Sequence, residues 1–457
     1  MENKTKIRET IVLLIVSTSI FFEALDIAIV NLAIPLIQET FGLTGDKVQW
    51  VQTLYVLFYG GFLIIGGKLA DREGRKTIFM TGSALFLATS LGAGITNSFT
   101  MLLLSRSIQG LGAALVIPSA FSIITNMFTD AVERNKAIGI FGSFAAIGSG
   151  SGLAVGGLIA SYFGWQWIFF INVPVIGLAL LLGYFYIPAD RKTPSQNAPD
   201  LLSGFLLTLI IILLSYITHE LGSFTSHFLL MTTMIVTVVV MSWIFIRRSH
   251  RNEPLIDFSL FNHPSVFLSN GNMFLLGSFF TGYLFCISIV LQTRMHYTSA
   301  EAGFLLFPFS ILSGIVSKSL MPRLMKKVTL LQGAILGMSL MTLGGATLTL
   351  SACLGYNFIL LLISVACVTG TGIAVCFMAL NVMAVHAVPV QHHGVASSLA
   401  TTAFFFGGGL GLSLIGLAMQ LKFLNSEIAP LFILTAYAGT GAVWLTARYR
   451  KERIVTI

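Results

Sequence analysis

Gly67-Lys68-Leu69-Ala70-Asp71-Arg72-Glu73-Gly74-Arg75-Lys76 sets six charged residues between two apolar runs, Val48–Leu69 and Ile78–Ile95. Each run approaches the roughly 20 apolar residues that a bilayer-spanning helix needs. The charged stretch therefore reads as a short hairpin loop between two membrane helices. Gly67 permits close helix approach and Gly74 a tight turn. Asp71 can cap the helix that follows or pair with a nearby arginine, such as Arg72 or Arg75. Such a network can latch two helices in one conformational state and release them in another.

The same alternation recurs over all 457 residues, of which 55% are hydrophobic and 10% charged. Soluble proteins carry about 25% charge. Hydropathy predicts helices 1 to 14 at Ile11–Ile37, Val48–Leu69, Ile78–Ile95, Met101–Asn126, Ala137–Ala160, Trp165–Ile187, Leu201–His219, Phe228–Ile246, Val266–Gln292, Ala302–Met321, Leu330–Ser351, Phe358–Ala379, Val395–Met419 and Pro430–Ala447. The first run is longer than a signal peptide's core and holds two acids, so it reads as a retained helix. The fold class is all-α integral membrane.

Positive charge tests this count, because Lys and Arg concentrate in cytoplasmic loops. With the N-terminus inside, Lys47, Arg294 and Lys422 fall in outer loops and Arg106 within helix 4. The rest of the 26 basic residues fall on the inner side, including Arg191, Lys192, Arg251 and Lys326. The bias never inverts, so both termini are expected in the cytoplasm. The net charge of +8 then reads as membrane topology rather than nucleic-acid binding. Cys286, Cys353, Cys367 and Cys376 lie in apolar segments without a CxxC, as core residues do.

A weak internal repeat divides the chain. Basic hairpins follow helices 2 and 10. Glycine crowds helix 5 (Gly148, Gly152, Gly156, Gly157) and helix 13 (Gly407, Gly408, Gly409, Gly411, Gly416). This predicts a six-helix bundle over 1–187, a linker with two inserted helices over 188–262, and a second six-helix bundle over 263–457. Two such halves around a central site are a common plan for alternating access.

The stretch Gly67–Lys76 also resembles the signature loop of the major facilitator superfamily, G-x-x-x-D-[RK]-x-G-[RK]-[RK], and matches it fully. Three segments resemble its fourteen-helix drug:proton antiporters. Leu25-Asp26-Ile27-Ala28-Ile29-Val30-Asn31-Leu32-Ala33-Ile34-Pro35 is similar to their first-helix motif, with Ala28 where threonine is common. Arg106-Ser107-Ile108-Gln109-Gly110-Leu111-Gly112-Ala113-Ala114 is similar to the fourth-helix motif of proton-coupled exporters. Trp165-Gln166-Trp167-Ile168-Phe169-Phe170-Ile171-Asn172-Val173-Pro174 is similar to their sixth-helix entry, with Gln166 where arginine is usual. The helix 5 glycines fit the antiporter motif, while Leu153 stands where that motif has proline. Their spacing alone also suits ordinary close helix packing. The resemblance implies a major facilitator fold in the cell membrane. It implies export of hydrophobic or cationic drugs, driven by protons without a cofactor, by a chain acting as a monomer.

Charge inside the membrane picks out candidate residues, because a mid-bilayer charge costs on the order of 3 kcal/mol on insertion scales. Glu23 and Asp26 are three apart, hence on one face of helix 1, and Arg106 lies in helix 4. All three are expected to face a central cavity. One carboxylate, Asp26 being favoured, would exchange the proton, and Arg106 would tune it. The alternative is a structural ion pair between helices 1 and 4. No clearly buried acid is expected in the second half, since Glu301 and Glu427 sit at helix ends, and Glu220 beside His219 reads as interfacial. Candidate substrate contacts are Asn31, Tyr55, Phe58, Tyr59, Gln109, Phe279, Tyr283, Phe285 and Phe404–Phe406, whose aromatic rings suit lipophilic cations. The adjacent His392-His393 are not placed to converge on one metal. No phosphate loop, metal cluster or nucleophile–base set stands out, so neither an enzyme nor ATP-driven transport is expected. An exporter dedicated to one compound class, such as tetracycline or a fatty acid, and a proton symporter remain as alternative functions.

Overall fold

In hydrocarbon a chain segment must satisfy its own backbone hydrogen bonds, and a helix does so within one segment. The computed structural model describes residues 2–189, 200–224, 227–249, 255–256, 258–324, 327–386, 388, 393–420 and 428–455. Among these, fourteen helices are long and apolar enough to cross a membrane, and the protein is a multi-pass membrane protein. They are α1 (Lys6–Phe41), α2 (Gly45–Glu73), α3 (Arg75–Ile95), α4 (Phe99–Met127), α5 (Val132–Phe163), α6 (Trp167–Tyr186) and α7 (Leu201–His219). There follow α8 (Phe228–Ser249), α9 (Pro264–Arg294), α10 (Ser299–Leu320), α11 (Leu330–Cys353), α12 (Phe358–His386), α13 (Val395–Gln420) and α14 (Ala429–Lys451). Arg191, Lys192, Arg251, Lys326, Lys422, Glu427 and His392 lie outside the described residues.

Several helices outrun their apolar cores. α1 reaches Phe41 rather than Ile37, and α12 continues past Ala379 to His386. Hydropathy marks only the stretch that must avoid water, whereas hydrogen bonding continues into the polar interface. The hairpin between α2 and α3 turns at Gly74, whose φ of +101° lies in the region glycine tolerates. Asp71 does not cap α3, which has no side-chain cap; instead it faces Arg75 and Ser122 of α4. At the same end, Lys76 donates to the Tyr184 and Ile187 carbonyls that terminate α6, where a cation offsets the helix dipole.

The packing repeats between the two halves. α1 packs on α5 as α9 packs on α13, α3 on α4 as α11 on α12, and α3 on α6 as α11 on α14. Glycine sets the first of these pairs. A Cβ at Gly148 would run into the Phe21 carbonyl of α1, and one at Gly407 into the Phe274 carbonyl of α9. The halves meet chiefly along two seams, α5 with α10 and α2 with α13, and α1 also packs on α9. At one end both seams are shut. Ser288 and Gln292 donate to the Asn31 and Leu32 carbonyls at 2.5 and 3.1 Å. Ala300 N–H donates to Ser161 Oγ at 2.9 Å, and a Cβ at Gly416 of α13 would strike the Gln49 side chain of α2. A Cβ at Gly157 would strike the Ser299 carbonyl, and one at Gly150 would come 3.0 Å from Ser310. Further along, towards the end bearing the Gly74 turn, a Cβ at Gly142, Gly139 or Gly314 meets nothing within 4 Å. The α5–α10 seam is therefore closed at one end and parts toward the other.

α7 and α8 pack on each other, and α7 lies against both α2 and α13. Asp200 caps α7 by accepting from Ser203 N–H at 3.1 Å, and Arg248 of α8 grips the same carboxylate at 2.7 Å. Desolvation pushes the Asp200 carboxyl up, but the hydrogen bonds from Arg248 and Ser203 outweigh it and hold it down at about 2. At the other end of α7, buried His219 meets the Asp46 carbonyl at 2.9 Å, and Gln420 of α13 donates to the Asp46 carboxylate at 3.0 Å.

Candidate functional site

Asp26 and Arg106 are fully buried, each at 0% exposure, and Arg106 Nη1 donates to Asp26 Oδ2 at 2.6 Å. Two charges this deep persist only if paired and hydrogen-bonded, and the neighbours supply those bonds. Gln109, one helical turn after Arg106, accepts from its guanidinium at 2.7 Å and donates to Asp26 Oδ1 at 3.2 Å and to Ser90 Oγ at 3.0 Å. Asn172 of α6 donates to Asp26 Oδ1 at 3.1 Å. Arg106 Nε donates to the Val51 carbonyl at 3.2 Å, and its guanidinium lies 4.2 Å from the Tyr55 ring centroid. One ion pair thus ties together α1, α2, α3, α4 and α6.

This arrangement corrects two expectations. Asp26 and Arg106 do not face an open cavity; they sit paired inside the first six helices at 0% exposure, with only Arg106 Nη2 of the guanidinium left without a partner among the described residues. Gln109, expected among substrate contacts, is buried as the bridge between them. Asn172 and Ser90 were missed, although Asn172 stands in the quoted segment at the entry to helix 6. Its amide at a membrane-helix entry was the signal available.

Glu23 is placed differently. It is 7% exposed, faces the phenols of Tyr55 and Tyr59, and one of its oxygens has no hydrogen-bond partner among the described residues. No ion pair to it is found among those residues, so of the two carboxylates it is Glu23 that lacks a cation. Tyr59 in turn meets Phe405 of α13 with ring centroids 4.2 Å apart, across the α2–α13 seam. The carboxylate therefore sits one side chain away from the surface on which the halves meet.

The other expected contacts divide into groups. Phe58 stacks on Phe62 within α2 at 6.2 Å, and Phe404 packs edge-on against Phe377. Phe406 is buried beside Gly60 of α2. Asn31 is buried, its side chain donating to the Ile27 carbonyl of its own helix, while its carbonyl takes part in the closed end of the seam. Phe279 and Tyr283 are not on an open face. Both are fully buried and stacked at 5.8 Å, and the Tyr283 hydroxyl lies 2.9 Å from Ser364 Oγ. Phe285 lines a cleft of about 500 Å3 at the closed end, near Lys47 and Arg294. Their spacing on helix 9 was readable, but which of its faces packs on α11 and α12 was not. Among the described residues no carboxylate of α9–α14 is buried; Glu301 closes a capping box with Thr298 at the start of α10.

Comparison with known proteins agrees with this architecture. Residues 16–412 match the family described as Major Facilitator Superfamily. The chain is 30% identical to a lincomycin resistance protein of Streptomyces lincolnensis, covering 92% of this chain and 86% of that one. It is 29% identical to the multidrug resistance protein Stp of Mycobacterium tuberculosis, covering 94% and 78%. Among solved structures, the POT family transporter PepTSo superposes with a TM-score of 0.73 at 14% identity, covering 98% of each chain. That last likeness is one of fold.

Proposed function

The chain belongs to the Major Facilitator Superfamily, and on that premise we propose that it exports hydrophobic, often cationic drugs from the cytoplasm in exchange for protons, by alternating access of its two halves. Drug export is supported by the resistance proteins to which it is similar. The observation that carries proton exchange is Glu23. It is a buried carboxylate with no ion pair among the described residues, beside an Asp26–Arg106 pair that is already neutralised. An ionised carboxylate in such a place costs several kcal/mol, so a proton or a cationic drug relieves the same deficit and the two compete. Glu23 takes its proton when open to the outside and yields it when open to the cytoplasm. Tyr59 and Phe405 carry its state to the α2–α13 seam. Asp26 and Arg106 hold the helices around it in register. The protein works as a monomer in the cell membrane with both termini in the cytoplasm; the basic residues gathered at one end of the helices support that orientation.

The test is uptake of a fluorescent lipophilic cation into inverted proteoliposomes under an imposed pH gradient. Wild type should move the dye with the gradient. Glu23→Gln should bind the dye without pH dependence and lose gradient-driven movement. A Glu23→Gln variant that pumps normally, or a wild type that moves no tested compound, refutes the reading. A second reading, export of one compound class, is favoured by the single antibiotic in the name of the lincomycin relative. Breadth of resistance on expression separates the two.

A further inference from the structure

Behind Glu23, on the side of α1 turned to α3 and α4, lies a small cavity of about 10 Å3. It is lined by Ser19, Glu23 and Ser83 together with apolar Phe86, Val116 and Ile176. Its volume, measured for the centre of a water-sized sphere, is near the ~10–15 Å3 that one buried water requires. Its polar groups converge. Ser83 is 1% exposed, and its hydroxyl has no hydrogen-bond partner among the described residues. The same holds for one oxygen of Glu23. Ser19 donates to the Ile15 carbonyl at 3.2 Å and keeps its lone pairs for a second donor. Buried polar atoms left this way are ordinarily satisfied by water.

We propose that Ser83 and Ser19 hold a single buried water against the Glu23 carboxyl, which makes Ser83 a positioning residue for the proton exchange. This rests on the reading of Glu23 given above. When Glu23 is protonated, its O–H donates to the water and the water donates to a serine. When the proton has left, the water turns and donates to the carboxylate, and the Ser83 hydroxyl turns from acceptor to donor. A hydroxyl can reverse in this way and an alkyl group cannot. The water solvates and does not conduct. One turn further along the helices, Val16, Phe79, Ala120 and Ile124 close the interior as an apolar cluster. The proton therefore leaves Glu23 on its other side, past Tyr55 and Tyr59. The titratable groups facing Glu23 are Asp26 of α1 and Tyr55 and Tyr59 of α2. Arg106 of α4 is held by Asp26, while α3 and α6 present Ser83, Phe86 and Ile176 there.

The experiment uses the full chain in lipid nanodiscs. Infrared difference spectra follow the protonated Glu23 carboxyl band, assigned by its loss in Glu23→Gln, while tetraphenylphosphonium binding is measured across pH. Ser83→Ala removes the hydroxyl and Ser83→Val also fills the cavity, whereas Ser83→Thr keeps the hydroxyl. The band's titration midpoint should rise by about one pH unit in Ser83→Ala, at least as far in Ser83→Val, and stay near wild type in Ser83→Thr. Well below both midpoints, tetraphenylphosphonium should bind about tenfold more weakly, since one unit is a factor of ten, and the difference should vanish above them. Folded Ser83→Ala and Ser83→Val proteins with the wild-type midpoint overturn the proposal. The band reports on Glu23 whether or not transport is coupled, so uncoupled transport refutes the export reading while the midpoints still decide this one.

Discussion

Removing one member of the Asp26–Arg106 pair should cost far more than removing both. The pair is closed at 2.6 Å with neither side chain exposed. Asp26→Asn leaves the guanidinium with the Val51 carbonyl, Gln109 and the Tyr55 ring but no counter-charge. Arg106→Gln leaves the carboxylate with only the neutral donors Gln109 and Asn172. An uncompensated buried charge costs roughly 3–5 kcal/mol, a large share of the 5–15 kcal/mol that typically holds a protein folded. The double variant buries no net charge and keeps Gln109 and Asn172 as partners for two amides. Its loss should be smaller than that of either single, so it should fall short of the summed singles by more than about 3 kcal/mol, the cost of one uncompensated charge. The assay is a double-mutant cycle by graded sodium dodecyl sulfate unfolding in mixed micelles, read by tryptophan fluorescence, with efflux measured on the same proteins. The double variant should regain stability without regaining gradient-driven efflux. Additive losses, or an Asp26→Asn protein that is stable and pumps normally, would refute the reasoning.

Other consequences follow from single contacts. Gly157→Ala puts a methyl group against the Ser299 carbonyl and should destabilise the closed end of the α5–α10 seam by about 1–3 kcal/mol. Spin labels at exposed Tyr162 and Phe304 should then show a longer distance population, and an unchanged distribution would mean the seam does not close there. Tyr283→Phe removes the contact with Ser364, which should cost about 0.5–1.5 kcal/mol and leave the spectrum of exported compounds unchanged; an altered spectrum would put Tyr283 on the transport route. Asp200→Asn keeps the oxygen that caps α7 but loses the ion pair with Arg248, costing about 1 kcal/mol. Because the Asp200 carboxyl is held down at about 2, its contribution is complete above the unfolded value near 4 and fades as pH falls toward 2. The variant and wild type should therefore differ in stability at neutral pH and converge near pH 2.

Much of the fold was readable because the bilayer imposes one demand on each segment. Twenty apolar residues must appear wherever the chain crosses, and the basic loops between them repeat that signal independently. The ends of α1 and α12 were misjudged because hydropathy records where water is excluded, and Glu39 and His386 are helical without being apolar. The charged residues of the site stood out for the same energetic reason. Their partners did not, since an asparagine or serine in a membrane helix costs little and gives no hint of which neighbour it meets. Only packing shows that Asp26 is already paired with Arg106, whereas no ion pair to Glu23 is found among the described residues; that difference is why the proposed proton carrier is Glu23 rather than the Asp26 favoured by the sequence. The aromatic residues of helix 9 show the reverse problem. Phe279 and Tyr283 look the same in sequence whether they line a route or fill a core.

The placement of α7 makes the two seams unequal. α7 is pressed against α2, with Gly61 of α2 under Thr208 and Gly204 of α7 under Ile65, and it also touches α13, so the α2–α13 seam is roofed over on its lipid side. The α5–α10 seam parts at Gly139, Gly142 and Gly314, where an added Cβ would meet nothing within 4 Å. A compound dissolved in the bilayer meets a wall on one flank of the protein and a doorway on the other. Any route from the bilayer into the groove between the halves is then one-sided, at the depth of Gly139, Gly142 and Gly314.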